Sequence, residues 1–301
     1  MKKKSTWLLE HQSNTYSQSG EDGVIGAILD LLSETNHWCV EFGAMDGKYL
    51  SNTRNLIKNR KYSAVLIEGN KKHFSALQNE YSSNHDIVTV NEYVGFTDSN
   101  NLDNILGKTS IPENFDLLSI DIDGNDYHVW KAINKYRPKI VCIEFNPTIP
   151  TEVDFVQPSD PQVSQGASLL ALITLGKEKN YELVSIIGVN AIFVQSELYP
   201  LFQIEDNSIN TMRINTDAVT YIFSGYDGTI LLSGYKKLPW HQMDINVRKI
   251  QRLPSLLRQY PGNYNFMQVL LYGVYLLMHK PKRFIRRFKK YFSSSDNSPN
   301  D

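Results

Sequence analysis

The densest group of side chains that could do chemistry lies in the stretch LLSIDIDGNDYHVW, residues 117–130. Asp121 and Asp123 alternate along a predicted strand end, so both point toward the crevice where open α/β sheets bind ligands. We expect them to be catalytic. Asp126 is suited to capping the helix that follows. His128 lies one helical turn further on and is either a general base or a surface histidine.

A second predicted strand end, CIEFNP at residues 142–147, brings Glu144 and Asn146 toward the same edge. Carboxylates that converge in one crevice repel each other unless a positive charge lies between them. Magnesium, held by Asp121, Glu144 and Asn146, would satisfy this arrangement. The alternative is a general base without metal, Asp121 or Asp123, which takes a proton from the substrate.

A glycine-containing loop follows an earlier strand in CVEFGAMDGKYLSNTRN, residues 39–55. Gly43 and Gly47 fit neither the phosphate-binding P-loop spacing nor the dinucleotide fingerprint. Glu41 and Asp46 would repel a pyrophosphate but suit a ligand with an amino group or a sulfonium. S-adenosylmethionine carries both of these groups.

Two further positions predict a nucleoside. Glu68 ends the next strand in VLIEGN, where a carboxylate can accept hydrogen bonds from both ribose hydroxyls. Asn91, in VNEYVG after the third strand, would lie beside the adenine if the strands follow the usual order. Polar side chains there could equally cap the next turn.

The elements that must position these residues alternate between short apolar runs and helical patterns, which predicts an α/β fold with a mostly parallel sheet and helices on both faces. The predicted strands are 38–43, 62–68, 86–90, 115–121 and 139–145. Residues 181–195 read as two strands joined at Gly188. Such a closing antiparallel hairpin is typical of a Rossmann-like class I methyltransferase sheet. The proline-rich segment 150–166 is a candidate substrate loop.

Composition narrows the class of protein. The chain has 301 residues, a formal net charge of −1 and 41% hydrophobic residues, which is ordinary for a globular protein and disfavours a nucleic-acid partner. Cys39 and Cys142 lie in apolar runs and are expected to be buried free thiols, which indicates a reducing compartment. The first residues lack the apolar run of a signal peptide, so we expect a cytoplasmic location.

Five stretches together resemble an FkbM-type S-adenosylmethionine-dependent methyltransferase over residues 16–195. They are YSQSGEDGVI, VEFGAMDGKYLSNT, VLIEGN, LLSIDIDGNDYHVW and IVCIEFNP. The resemblance implies that the cofactor's methionine part binds to Glu41, Gly43, Asp46 and Gly47, the ribose to Glu68, and that Asp121 lies in the catalytic crevice.

The family element D-V-E-G-x-E reads D-I-D-G-N-D here, which keeps the charges but shortens both acids. Family members are similar to O-methyltransferases that act on hydroxyls of sugars and polyketides. The acids of the fourth and fifth strands also resemble those of metal-dependent catechol O-methyltransferases. The resemblance therefore implies O-methylation of a carbohydrate or glycolipid. It leaves open whether magnesium is a second cofactor.

Beyond residues 1–195, the expected methyltransferase domain with its N-terminal helix, the sequence predicts two more parts. Residues 196–260 contain a hairpin and form either a small cap or a sheet extension. Residues 261–301 combine an apolar and basic amphipathic helix with a disordered tail. Residues 264–292 suit peripheral contact with an anionic membrane, at its inner face, although the apolar part could instead pack on the domain.

The leading hypothesis is an S-adenosylmethionine-dependent O-methyltransferase that acts on a sugar hydroxyl in polysaccharide or glycolipid assembly. One alternative is a nucleotide-sugar oxidoreductase, which the missing dinucleotide fingerprint disfavours. Another is a non-catalytic, membrane-associated protein that retains the methyltransferase fold.

Overall fold

The computed structural model describes residues 2–286 of the chain. The chain divides into two compact units, Met1–Thr216 and Asp217–Asp301. The first unit contains the sheet and all of the residues singled out above for cofactor binding, catalysis or metal binding. The second contains the apolar helix near the C-terminus.

A seven-stranded sheet forms the centre of the first unit, in the order β3-β2-β1-β4-β5-β7-β6. Its strands are β1 (Trp38–Phe42), β2 (Ser63–Ile67), β3 (Ile87–Val90), β4 (Leu117–Ile120), β5 (Ile140–Glu144), β6 (Tyr181–Ile187) and β7 (Asn190–Gln195). Neighbours among β1 to β5 pair in parallel, whereas β7 is antiparallel to both β5 and β6. The predicted class I methyltransferase sheet, with its closing hairpin at Gly188, is therefore confirmed.

Helices cover both faces of the sheet, as predicted. They are α1 (Glu21–Leu29), α2 (Arg54–Arg60), α3 (Lys71–Tyr81), α4 (Leu102–Leu106), α5 (Asp126–Ala132) and α6 (Leu169–Glu178). Side chains alternate along β1, so Phe42 packs in one core with α4, α5 and α6, and Cys39 in the other with α1, α2 and α3. The sheet is buried on both faces, which explains the nearly continuous apolar strands.

The first unit extends past the boundary predicted after residue 195. Trp7 donates its indole N–H to the carbonyl of Phe202 at 3.1 Å. Arg213, just after the short helix α7 (Ile209–Met212), donates to the carbonyls of Pro147 and Ile149 at 2.7 Å each. These bonds attach residues 199–213 to the rest of the first unit, a long-range attachment that local sequence patterns do not encode.

Within its described residues, 217–286, the second unit contains small sheets and one longer helix. Its elements are β8 (Thr220–Ser224), β9 (Ile230–Gly234), β10 (Lys237–Leu238), β11 (Met243–Asp244) and α8 (Phe266–His279). β8 and β9 form the predicted hairpin as a two-stranded sheet of their own. Residues 287–301, which include the end of the predicted amphipathic helix and the predicted tail, lie outside the described residues. None of the helices within residues 2–286 has the length and apolar composition needed to span a bilayer.

Candidate active site

The sheet order brings the predicted site residues to one edge. In register, Phe42 of β1 lies opposite Ile120 of β4, and Ile120 lies opposite Ile143 of β5. The next residue on each strand therefore belongs to one row along the carboxyl edge of the sheet. Open α/β sheets bind ligands in the crevice beyond this edge, beside the strands where the order reverses.

Only glycine fits at the two glycine positions of the loop, because neighbouring atoms lie very close to its backbone there. Gly43 has φ +73°, and a Cβ atom there would lie 2.2 Å from the carbonyl oxygen of Asp121. Gly47 has φ +71°, and a Cβ atom there would lie 2.6 Å from the ring of Tyr81 and 2.7 Å from Leu77. Residues with side chains rarely adopt these φ values, and here they would also clash. The loop therefore lies tightly between the end of β4 and α3.

Glu41 is buried below this loop and holds its second half. Its carboxylate accepts hydrogen bonds from the hydroxyls of Ser51 and Thr53 at 2.6 Å each and from the amide of Asn52 at 2.8 Å. Burial raises the pKa of Glu41, and the hydroxyl hydrogen bonds oppose that rise. The sequence indicated a direct ligand contact for Glu41, whereas the structure shows a carboxylate occupied in shaping the loop.

Asp46 and Glu68 fix the exposed part of the same loop. Asp46 accepts from the amides of Lys48 and Tyr49 at 2.9 Å each, and these bonds outweigh partial burial and lower the pKa of Asp46. Glu68 accepts from the amide of Met45 at 2.9 Å through one oxygen and from that of Asn70 through the other. Each Glu68 oxygen keeps a lone pair, which is what bidentate recognition of a ribose requires.

Asn91 joins the ends of β2 and β3. Its side-chain amide donates to the carbonyls of Glu68 and Gly69, at 2.8 and 3.2 Å. Tyr93 is 73% exposed, and its ring lies directly against Gly69. An exposed aromatic ring beside the predicted ribose residue is a surface on which a nucleobase could stack. The sequence motif pointed to this turn but not to Tyr93 in particular.

Asp126 organises the loop after β4. It is buried, and its carboxylate accepts from the amides of Ile122 and Gly124 at 2.9 Å each. It therefore closes the loop between β4 and α5 rather than only capping the helix. Within that loop Asp123 has φ +55°, a left-handed conformation that is unusual for a non-glycine residue. Such strain persists only when the surroundings enforce it, and it directs the Asp123 side chain beside Asp121.

Three carboxylates converge in the crevice. Oxygen atoms of Asp121, Asp123 and Glu144 all lie within 4.8 Å of one another. Within residues 2–286, neither Asp121 nor Glu144 forms an ion pair with a lysine or an arginine. Their carboxyl groups lie beside each other instead. Two ionised carboxylates so close together repel each other, which favours a proton on one of them.

The electrostatics of this cluster follow from burial and like charge. Burial, and then the charges of Asp126 and Asp123, raise the pKa of Asp121 to about 7. Burial and the charge of Asp121 raise the pKa of Glu144 to about 9. Both carboxyl groups therefore hold a proton to higher pH than an ordinary carboxylate does, and they titrate as a pair.

Asn146 is occupied elsewhere. Its side-chain oxygen accepts from the amide and hydroxyl of Thr148, at 2.9 and 2.7 Å, and its nitrogen donates to the carbonyl of Gln165 at 2.9 Å. The group of acids with the spacing of a divalent-cation site contains Asp123 beside Asp121 and Glu144. These hard oxygen donors are of the type that magnesium prefers.

His128 contacts the proline-rich segment 150–166. Its Nε2 lies 2.9 Å from the carbonyl oxygen of Gln157, so Nε2 carries the hydrogen. Gln157 is buried, and its side-chain oxygen accepts from the amides of Gln165 and Gly166 at 2.7 and 2.8 Å. His128 thus helps to position the candidate substrate loop, and its predicted role as a general base stays a prediction.

A shallow cavity of about 430 Å³ lies where this segment leaves β5. It is lined by Asn146, Thr148, Ile149, Pro150, Val153, Phe155 and Gln165. Its volume falls in the range of small-molecule sites, roughly 300–1,000 Å³. Sequence patterns do not locate such a cavity, because the segment has no periodic structure of its own.

A second feature that sequence reasoning left undeveloped precedes α1. One carboxylate oxygen of buried Asp22 accepts from three successive amides, those of Thr15, Tyr16 and Ser17, at 2.6 to 3.0 Å. The ring of Tyr16 lies 5.2 Å from the guanidinium carbon of Arg54, which follows the glycine loop. The motif YSQSGED thus folds around its own final acid and extends toward the loop.

The family model of the methyltransferase FkbM domain matches residues 56–183. The match begins within α2, ends within β6 and includes Glu68, Asp121 and Glu144. It confirms the resemblance found in the sequence and, with it, the enzyme class: the protein is an S-adenosylmethionine-dependent methyltransferase. The oxidoreductase alternative is disfavoured by this result.

Among solved structures, the chain is similar to TrmK of M. capricolum in complex with S-adenosylhomocysteine, with 14% identity and a TM-score of 0.35, over 57% of this chain and 67% of that chain. It is similar to the N-terminal domain of EvdMO1 with S-adenosylhomocysteine bound, with 8% identity and a TM-score of 0.36, over 61% of this chain and 80% of that chain. It is also similar to a methyltransferase from Aquifex aeolicus, with 8% identity and a TM-score of 0.34, over 56% and 86%. No curated protein matches the chain.

Proposed function

We propose that this methyltransferase transfers the methyl group to a hydroxyl of a sugar, in a glycan or a glycolipid of the kind assembled into polysaccharide. The observation that carries the proposal is the contact between the Asp121 and Glu144 carboxyl groups in the crevice, with no cationic partner among the described residues. The proposed compartment is the cytoplasm, in keeping with the free thiols of Cys39 and Cys142.

S-adenosylmethionine supplies a methyl group made electrophilic by its sulfonium, and an acceptor oxygen attacks that carbon in line with the departing sulfur. A neutral amine has a lone pair ready for this attack, whereas a hydroxyl must lose its proton as the new bond forms. In the proposed mechanism Asp121 accepts that proton. Glu144 lies beside Asp121, and in this proposal it keeps a proton and orients Asp121 by donating it in a hydrogen bond.

The same acids support a sugar as the acceptor. Ionised carboxylates accept hydrogen bonds from neighbouring hydroxyls, and Asp123 is exposed in the crevice with no hydrogen-bond donor from the described protein. The adjacent cavity offers Phe155 and Val153 as apolar surface and Gln165 and Thr148 as polar partners. This mixture suits a ring with one apolar face and a hydroxylated rim.

We further propose where the cofactor binds. The loop with Gly43, Asp46 and Gly47 would hold the methionine part, Glu68 the ribose, and the turn from Asn91 to Tyr93 the adenine. The supporting observations are the glycine φ angles, the free lone pairs of Glu68 and the exposed ring of Tyr93. Glu41 acts through the loop that it holds, by way of Ser51, Asn52 and Thr53.

A bound magnesium ion is a second way to neutralise Asp121, Asp123 and Glu144. The close spacing of their carboxylate oxygens supports this alternative, in which the methyl transfer depends on metal. The cation would supply Lewis-acid polarisation of the acceptor hydroxyl. Transfer that survives chelation supports the metal-free base, whereas transfer lost on chelation and restored by magnesium supports the cation.

The test is methyl transfer from labelled S-adenosylmethionine to a panel of simple glycosides, with amino-sugar glycosides as matched acceptors. The proposal predicts label in an alkali-stable ether on a hydroxyl. Label only on amino groups would overturn it. Binding of S-adenosylhomocysteine with no transfer to any acceptor of the panel would favour the non-catalytic alternative.

A further inference from the structure

The helix α8 of the second unit is built with its apolar side outward. It begins at a capping box, in which the Asn265 side chain accepts from the Gln268 amide and the Gln268 side chain accepts from the Asn265 amide. The 14 residues that follow, FMQVLLYGVYLLMH, are predominantly apolar. A surface helix of a globular unit normally buries such residues.

The face of α8 that packs on its own unit is the polar one. Gln268 donates through its side chain to the carbonyl of Leu256 and to the side chain of Gln259, at 2.9 Å each. Tyr275 donates its hydroxyl to the carbonyl of Arg252 at 2.6 Å. Tyr272 lies four positions after Gln268, Tyr275 lies seven positions after it, and Leu276 follows directly. Residues at these spacings lie on one side of a helix.

The opposite side carries the exposed apolar residues. Eight large apolar side chains of α8 are exposed, among them Phe266 at 77%, Leu270, Val274 and Met278 at 73%. Among the aliphatic side chains of α8, all of which lie in the described part of the chain, only Leu276 is buried. Contiguous exposed apolar surface of this kind marks an interaction site.

The positive charge of the sequence around α8 indicates which kind of surface its apolar side would contact. From Ile245 to Ser295 the sequence contains eleven lysines and arginines and neither aspartate nor glutamate. Lys280, Lys282, Arg283 and Arg286 follow α8 directly and are exposed, in a segment that is again helical over residues 281–286. Two copies of such a surface would repel each other, whereas an anionic surface would attract both the charges and, once close, the apolar side chains.

The length of α8 fixes how it would bind. Fourteen residues at about 1.5 Å each span about 21 Å, less than the roughly 30 Å of a bilayer core. A short helix with an apolar side and basic flanks lies in the plane of the membrane interface. We propose that α8, with the basic segment after it, docks the protein on an anionic lipid bilayer by inserting the apolar side. This inference concerns the second unit and does not depend on the acceptor or on Asp121.

The test is cosedimentation of the full-length protein with vesicles of phosphatidylcholine, with and without phosphatidylglycerol. We expect binding to the anionic vesicles that is tighter by roughly tenfold or more and weakens as salt is added. Replacing both Leu270 and Val274 with Gln should lower that binding by roughly tenfold or more. The matched control is Ile222→Gln, at a residue of β8 that is 65% exposed, which should leave binding unchanged.

Three results would overturn the proposal. The first is equal binding by the wild type and the Leu270/Val274 double variant, with helical content by circular dichroism the same in both. The second is equal binding to vesicles with and without phosphatidylglycerol. The third is a dimer by sedimentation equilibrium that the double variant dissociates, with no vesicle binding, because the apolar side would then belong to a second copy of this chain.

Discussion

Two sets of carboxylates lie at the same edge of the sheet and differ in what the protein gives them. Glu41, Glu68 and Asp126 each accept at least two hydrogen bonds from neighbouring amides or hydroxyls. Asp121 and Glu144 lie beside each other instead, and among the described residues neither forms an ion pair with a lysine or an arginine. A carboxylate that the protein satisfies shapes a loop, and a carboxylate that it leaves unsatisfied is available to a substrate. The first set therefore builds the site, and the second is where we expect proton transfer.

The largest effect should come from the second set. Asp121→Asn removes the proposed proton acceptor while keeping nearly the same shape. We expect turnover to fall by about 10²–10⁴-fold, the usual contribution of general base catalysis. Methyl transfer measured with saturating cofactor tests this, and an unchanged rate would remove Asp121 from the chemistry. Glu178→Gln, at an exposed acid on α6, is the matched control.

The next largest effect should come from a substitution in the backbone loop that supports both sets of carboxylates. Gly43→Ala places a Cβ atom 2.2 Å from the carbonyl oxygen of Asp121 at a positive φ. We expect a strain of about 1–3 kcal/mol and roughly tenfold weaker binding of S-adenosylhomocysteine. Thermal unfolding and calorimetry measure the two effects. Gly273→Ala, where the nearest atom is 3.8 Å away, should show neither. Normal affinity in Gly43→Ala would contradict the placement of the loop.

A change in the first set should act on stability before turnover. Glu41→Gln weakens the hydrogen bonds from Ser51, Asn52 and Thr53, so we expect the free energy of unfolding to fall by about 1–3 kcal/mol. Chemical denaturation measures this loss. A variant as stable as the wild type but without turnover would place Glu41 in the second set instead.

The smallest effect concerns pH. The rate should rise with pH and reach half its maximum near pH 7, because Asp121 must lose its proton to act as a base and its pKa is raised to about 7. Removing a negative neighbour lowers that pKa, so Asp123→Asn should shift the midpoint to lower pH. A midpoint that moves upward, or does not move, would contradict the electrostatic account of the cluster.

The sequence predicted the sheet well because each strand is a short apolar run bounded by turn residues, and the acids follow those runs directly. It also predicted that Asp121, Asp123 and Glu144 would meet, since parallel strands end at one edge. The sequence could not show which carboxylates accept hydrogen bonds from the rest of the protein. Glu41 is paired by residues ten to twelve positions later, and that pairing exists only once the loop has folded.

Other features depended on contacts between distant parts of the chain. The first unit continues to Thr216 because Arg213 bonds to carbonyls more than sixty positions earlier. The outward orientation of the apolar side of α8 follows from hydrogen bonds of Gln268 and Tyr275 to residues earlier in the chain. Local patterns carry no information about such pairings.

The most direct test of the division between the two sets is calorimetric titration of S-adenosylhomocysteine into the wild type, Glu68→Ala and Asp121→Asn, with NAD as the control ligand. We expect micromolar binding to the wild type, no binding of NAD, a roughly tenfold or greater loss of affinity in Glu68→Ala and unchanged affinity in Asp121→Asn. Equal loss in both variants, or no binding by the wild type, would contradict it.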